Sequence, residues 1–279
     1  MHATKSLDDV KDYWNNRSCN LRHSPRAVGS REYFEEVEAR KYFVEPHIPL
    51  FADFEKWKGK KVLEIGCGIG TDTMNFARAG AELTSVDLSS SSLQLAKKRA
   101  DVFGLSRKIR FTEANAEELD KYVPPEPYDL IYSFGVLHHT TNPERAFDQL
   151  PKYAKEGTEL KLMFYYRYSW KVLWILFKYG QGQFWKLDEL VSRYSEAQEG
   201  CPVTFIYSKD QMREIAEKRG FKVEDIFVDH IFPYKISDYI QYRYKKEWYF
   251  RWIPKALFRS LETRFGWHLC LTARYTGKP

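Results

Sequence analysis

The sequence predicts an α/β fold, a mostly parallel sheet covered by helices on both faces. Three observations carry this. Short apolar strands alternate with helices from Lys61 onward. A glycine-rich turn separates the first strand from the first helix of that series, and the next strand ends in an acid, Asp87. The strands also read as near-continuous apolar runs, as buried parallel strands do.

Taken in order, residues 1–50 are an aromatic and charged lead-in. Within it, "SREYFEEVEARKYFVEPHI" has helical periodicity up to Val44, and Pro46 limits its continuation. "KVLEI" is a strand, "TDTMNFARAG" a helix closed by Gly80, "AELTSVD" a strand and "SSLQLAKKRADVFG" a helix closed by Gly104. "KIRFTEAN" and "YDLIYSF" are strands, "NPERAFDQLPKYA" a helix interrupted at Pro151, and "ELKLMFYY" a fifth strand. An aromatic-rich stretch at 167–206 precedes the helix "SKDQMREIAEKRG" and the strand "FKVEDIFV". A second stretch, aromatic and basic, at 230–264 precedes the last strand, "WHLCLTARY". Both are expected near the ligand end of the sheet, as a cap. The expected division is therefore a lead-in at 1–50 covering the site and one domain at 51–279 with two cap insertions.

Composition narrows the function. The 279 residues suffice for a large core, and a formal charge of +6 favours anionic ligands without marking a nucleic-acid protein. Cys19, Cys67, Cys201 and Cys270 form no CxxC pair and no metal-ligand spacing, so reduced thiols and a cytoplasmic location are expected. Cys67 and Cys270 read as packing residues; Cys19 and Cys201, in less regular segments, are the thiols placed to face a pocket. "MHATKSLDDVKDYW" lacks the apolar stretch of a secretory leader, and "SWKVLWILFKYG" is too short to span a membrane.

Gly66, Gly68 and Gly70 are spaced G-x-G-x-G, where a dinucleotide fingerprint would be G-x-G-x-x-G. Small residues there let the backbone turn sharply beside a ligand, while the following helix presents its N–H groups. Asp87 stands where an acid accepts both hydroxyls of a ribose. The pattern points to an adenosine-containing ligand.

On these residues, "VLEIGCGIGTDTMNFARAGAELTSVDLS" resembles the cofactor-binding core of the class I S-adenosylmethionine-dependent methyltransferases, of the Rossmann-like small-molecule type. The resemblance implies seven strands, the last antiparallel, and S-adenosylmethionine as cofactor, S-adenosylhomocysteine as product. It places Glu64 near the methionine amino group, Gly66, Cys67, Gly68 and Gly70 in the turn, Asp87 on the ribose and Leu88 beside the adenine. In "FTEANAEEL" it sets Asn115 and Ala116 against the adenine ring. In "YDLIYSFGVLHHTTNPERAF" it sets Phe134, Gly135 and Val136 along the methionine arm. Tyr13 is expected as a contact on the methionine side.

A sulfonium methyl is already electrophilic, so no covalent nucleophile is needed, only alignment and, for an acidic acceptor, a base. The candidate bases are His138, His139, His23 and His230. They slightly favour an oxygen acceptor on a small, aromatic or apolar molecule. Methylation at nitrogen, sulfur or carbon, methylation of RNA or protein, and cofactor binding without transfer remain open. Arg243, Lys245, Lys246 and Arg251 alternate with aromatics, but Asp238 and Glu247 break the charge. Nucleic acid and a membrane surface therefore rank below a small molecule, no metal is expected, and the oligomeric state is open.

Overall fold

The computed structural model describes residues 6–195 and 201–277. Residues 1–5 of the expected lead-in and 196–200 of the first expected cap stretch lie outside the described residues.

Three helices come first: α1 (Leu7–Asn16), α2 (Arg31–Val44) and α3 (His47–Ala52). Ser6 starts α1 through a capping box with Asp9, and Ser30 caps α2 by accepting from the Tyr33 N–H. α2 ends at Val44 as the periodicity predicts, and the chain re-enters a short helix just beyond Pro46.

The strands are β1 (Lys61–Ile65), β2 (Glu82–Asp87), β3 (Ile109–Glu113), β4 (Tyr128–Phe134), β5 (Ala154–Tyr166), β6 (Ile206–Tyr207), β7 (Phe221–Asp229) and β8 (His268–Tyr275). Between and after them lie α4 (Thr71–Ala79), α5 (Ser90–Val102), α6 (Pro143–Gln149), α7 (Trp170–Tyr179), α8 (Leu187–Tyr194), α9 (Lys209–Glu217), α10 (Ile236–Tyr239), α11 (Trp248–Arg251) and α12 (Lys255–Phe265). Seven strands run in the order β3-β2-β1-β4-β5-β8-β7. All pairs are parallel except those made by β8, which runs antiparallel to both β5 and β7. The two-residue β6 adds an eighth strand beside the end of β5. β5 is longer than its apolar run, because the helix before it stops at Gln149 and Pro151 turns the chain into a single 3₁₀ turn that delivers it at Ala154.

Both faces are covered. Leu63, Ile131, Leu162, Phe164, Leu269 and Leu271 belong to one core, and Val62, Leu130, Met163 and Cys270 to the other. Successive residues of one strand thus enter opposite cores, which is why the strands show no polar alternation. In the first cap stretch α7 is amphipathic: Val172 and Ile175 face the second core, while Leu173 and Phe177 stay exposed. No helix among the described residues is long and apolar enough to cross a membrane.

Strand order reverses between β1 and β4, and crevices outside the carboxyl ends of strands at such a point are where open α/β sheets bind ligands. Because β8 is antiparallel, its first residue, His268, lies at the same edge as the last residues of β4, β5 and β7.

Candidate active site

A cleft of about 310 Å³ opens at that edge. The glycine turn forms one wall. At Gly66 (φ +82°) an added Cβ would stand 2.2 Å from Val136 Cγ2, so the missing side chain lets the chain leaving β4 pass over the turn. At Gly68 (φ +53°) an added Cβ would meet nothing within 4 Å, leaving that side of the cleft open. Gly70 (φ +77°) is not on the wall: its Cβ would lie 3.1 Å from Ala96 Cβ, so it serves the approach of α5.

Asp87 joins the turn to the next wall. Its carboxylate accepts the Gly68 N–H at 2.7 Å and the Ser89 N–H at 2.8 Å. Burial raises its pKa, and those N–H groups oppose the rise. A carboxylate has about four lone-pair sites, so two N–H bonds leave capacity for a diol. Cys67, Leu88, Asn115 and Ala116 line the cleft beyond it. Asn115 Oδ1 accepts the Glu117 N–H at 3.0 Å, which orients its amide.

Phe134, Gly135 and Val136 form the next wall, Val136 resting on Gly66, with Met163 and Tyr165 from β5. Glu64 lies behind the wall, buried, with Thr73 Oγ1 donating to it at 2.5 Å and Ser85 Oγ at 2.9 Å. Burial and then the charge of Asp72 push its carboxyl up to about 7. Asp72, also buried, accepts from Lys41 Nζ (2.7 Å), the Tyr42 hydroxyl (2.9 Å) and the Tyr132 hydroxyl (2.9 Å). Lys41 itself lines the cleft.

The histidines separate clearly. His139 is on the wall, with Nδ1 2.9 Å from the Val203 carbonyl. A carbonyl only accepts, so Nδ1 carries the proton and Nε2 the lone pair. Cys201, buried beside it, places Sγ 3.5 Å from the same Nδ1 and is not on the wall. His138 does not reach the cleft: it is enclosed between His139, Phe164 and Tyr165, with neither ring nitrogen hydrogen-bonded, and burial lowers its pKa far below 6.5. His23 is also off the wall, with Nε2 3.3 Å from the Tyr239 hydroxyl; burial, with Arg40 and Lys41 nearby, lowers it to about 4. His230 is buried behind His268, which does line the cleft. Tyr13 is off the wall as well, and its neighbour Trp14 is on it, edge-on to His139 at 5.2 Å.

Sequence reasoning missed Lys41, Glu45, Tyr165 and His268, all on the wall. Glu45 closes α2, and His268 begins β8, with His47 Nε2 3.0 Å from its Nδ1. Burial keeps these rings neutral, lowering His47 to about 4, His230 to about 3 and His268 far below 6.5.

Comparison with known proteins identifies the family and the fold. A family model described as a methyltransferase domain matches residues 56–220. A probable S-adenosylmethionine-dependent methyltransferase of Saccharomyces cerevisiae is 27% identical over 190 residues, covering 65% of this chain and 62% of that protein. A ubiquinone biosynthesis O-methyltransferase of Azoarcus is 33% identical over 99 residues, covering 36% of this chain and 41% of the relative. The chain thus spans less than two thirds of either relative's length. Magnesium protoporphyrin IX methyltransferase from Synechocystis, solved with bound S-adenosylhomocysteine, superposes with a TM-score of 0.61 at 18% identity, over 97% of this chain and 100% of that one. At that identity the likeness is one of fold.

Proposed function

The chain belongs to the class I S-adenosylmethionine-dependent methyltransferases, and from that premise we propose that it transfers the cofactor's methyl group to an oxygen atom of a small organic acceptor. The observation that carries this reading is the shape of one cleft. Gly68 leaves room beside the Asp87 carboxylate at one end, and the His139 imidazole stands beyond Gly135 at the other.

The residues present fit the cofactor. Open space over Gly68 suits a backbone-close ligand, and Asp87 keeps lone pairs for ribose hydroxyls. Leu88, Asn115 and Ala116 would hold the adenine, and Phe134 and Gly135 the methionine arm. Bound there, S-adenosylmethionine supplies a sulfonium methyl group that an oxygen lone pair can take while the C–S electron pair returns to sulfur. The chain's part is alignment and proton removal. Phe134, Met163 and Tyr165 exclude water from the acceptor end, and His139 Nε2, buried in the structure, takes the proton from the acceptor hydroxyl once the neighbouring Trp14 ring moves aside. The Val203 carbonyl fixes that tautomer.

The expected division of the chain belongs to the same reading. Residues 1–50 act as a cover, supported by Leu7, Val10 and Trp14 on the cleft wall and by the Ser91 hydroxyl donating to the Asn15 carbonyl at 2.7 Å. Residues 51–279 act as the transferase domain, with caps at 167–206 and 230–264. The O-methyltransferase named above supports oxygen as the acceptor atom.

The test is calorimetric titration with S-adenosylmethionine and S-adenosylhomocysteine, followed by an acceptor screen read by mass spectrometry. Binding of both, with a methyl gain on a phenol, enol or carboxyl, is the expected result. Absence of binding refutes the cofactor assignment. A methyl gain confined to amines, thiols, carbon or RNA refutes the acceptor assignment.

A further inference from the structure

Glu45, His230 and His268 come from the end of α2, the residue after β7 and the start of β8. One donor atom from each lies within 4.8 Å of the other two. His268 Nε2 stands 3.6 Å from Glu45 Oε1, too far for a hydrogen bond. It is close to the ~3.4 Å that separates two ligands of one tetrahedral ion with bonds of about 2.1 Å.

The surroundings of the three are built to hold them. His47 Nε2 lies 3.0 Å from His268 Nδ1, the outer-ring contact that orients a ligating imidazole. The His230 backbone is left-handed, at φ +72°, a conformation that costs a non-glycine residue of order 1 kcal/mol or more. Its N–H donates to Asp229 Oδ1 at 2.7 Å, and its carbonyl accepts the Trp267 N–H at 2.7 Å. Arg259 clamps Asp229 with two bonds of 2.6 Å. This strained turn lays the His230 ring against the His268 ring at 4.6 Å. Glu45 and His268 line the cleft, so an ion between them would open toward it.

We propose that Glu45, His230 and His268 form a binding site for a divalent first-row transition-metal ion whose open coordination positions face the cleft. Two imidazoles and one carboxylate suit zinc, cobalt or iron(II) rather than magnesium, which prefers oxygen donors and bound water. The role of the ion rests on the methyl-transfer reading. An acceptor oxygen held there becomes more acidic; its proton passes to His139, its lone pair forms the bond to the methyl carbon, and the C–S pair goes to sulfur.

The test uses the full chain without a polyhistidine tag, stripped with a chelator and titrated with Co²⁺ under visible absorption, bound metal being counted by mass spectrometry. One Co²⁺ per chain is expected, lost in Glu45→Gln and His230→Gln and retained in His23→Gln, whose imidazole lies outside the cluster. No bound Co²⁺ in the wild-type chain, or an equivalent that survives both substitutions, overturns the site. Circular dichroism reports folding, and the partly exposed Glu45→Gln decides if His230→Gln does not fold. S-adenosylhomocysteine titration of the stripped protein is read separately. Failure there refutes the methyltransferase reading and leaves the metal count standing on its own.

Discussion

Replacing Gly66 by alanine and, separately, Gly68 by alanine tests how the turn is built. Both residues have positive φ, so each substitution carries a left-handed penalty of roughly 1–2 kcal/mol. At Gly66 the new methyl also lies 2.2 Å from Val136 Cγ2, 2.5 Å from Cγ1 and 2.7 Å from Cβ. Carbon contacts prefer about 3.5–4.0 Å. A stiff, β-branched side chain must therefore move by more than an ångström, which adds roughly 1–3 kcal/mol of overpacking. Gly66→Ala is thus expected to cost about 2–5 kcal/mol and Gly68→Ala about 1–2 kcal/mol. In a chain of this size that corresponds to Tm losses of roughly 3–9 °C and 2–3 °C. Binding should order the other way relative to stability, since the Gly68 methyl enters space the ligand needs. Denaturant unfolding and S-adenosylhomocysteine calorimetry measure the two effects. Equal stability losses, or a Gly66→Ala protein as stable as the wild type, would refute the account of Val136 crossing the turn.

Asp87→Ala is expected to weaken cofactor binding by about tenfold to a hundredfold, the scale of one or two lost bonds to a charged group, with the fold retained; calorimetry beside circular dichroism checks it. His139→Ala should lower turnover by about 10²–10⁴ while S-adenosylhomocysteine affinity holds, and wild-type turnover across pH would remove His139 as the base. Glu64 has a folded pKa of about 7, above its ordinary 4.5, so its contribution favours the fold below pH 4.5 and is lost as pH rises through 7. Glu64→Gln should therefore gain stability over the wild type at pH 8 and none near pH 4, as denaturant midpoints would show. The buried histidines act with the opposite sign. His47 and His230 are lowered to about 4 and about 3, so their contribution is complete above 6.5 and is lost as pH falls toward those values. Thermal melts from pH 7 to pH 4 should fall, and a flat profile would contradict neutral burial.

The half of the cleft around the glycine turn was legible because it is local. Gly66, Gly68, Asp87 and Asn115 lie in strand-turn-helix units where spacing along the chain determines spacing in space. Gly70 illustrates the limit: the same motif places it, but its reason is contact with Ala96 and not with the cleft. The far half was not legible, because Lys41, Glu45, Tyr165 and His268 meet only through packing of α2, β5 and β8. No interval in the sequence relates Glu45 to His268. A faint signal existed in the histidine second in "WHLCLTARY", a polar residue at the buried start of an apolar strand. His138 misled for a related reason: adjacent histidines on a 3₁₀ turn point in different directions, and only His139 reaches the cleft.

The antiparallel β8 has an evolutionary consequence. It starts at the edge where the glycine turn sits and runs away from it, so His268 joins a cleft closed by two sets of residues that share no stretch of sequence. Gly66 to Ala116 supply one set; Glu45, Tyr165 and His268 supply the other. On the proposed reading, substitutions in the second set would retune what is methylated while the first keeps its methyl donor. Inheritance can therefore hold one half steady and let the other drift, and a graft of β7, β8 and α2 from a relative is the corresponding unit of exchange for redesign.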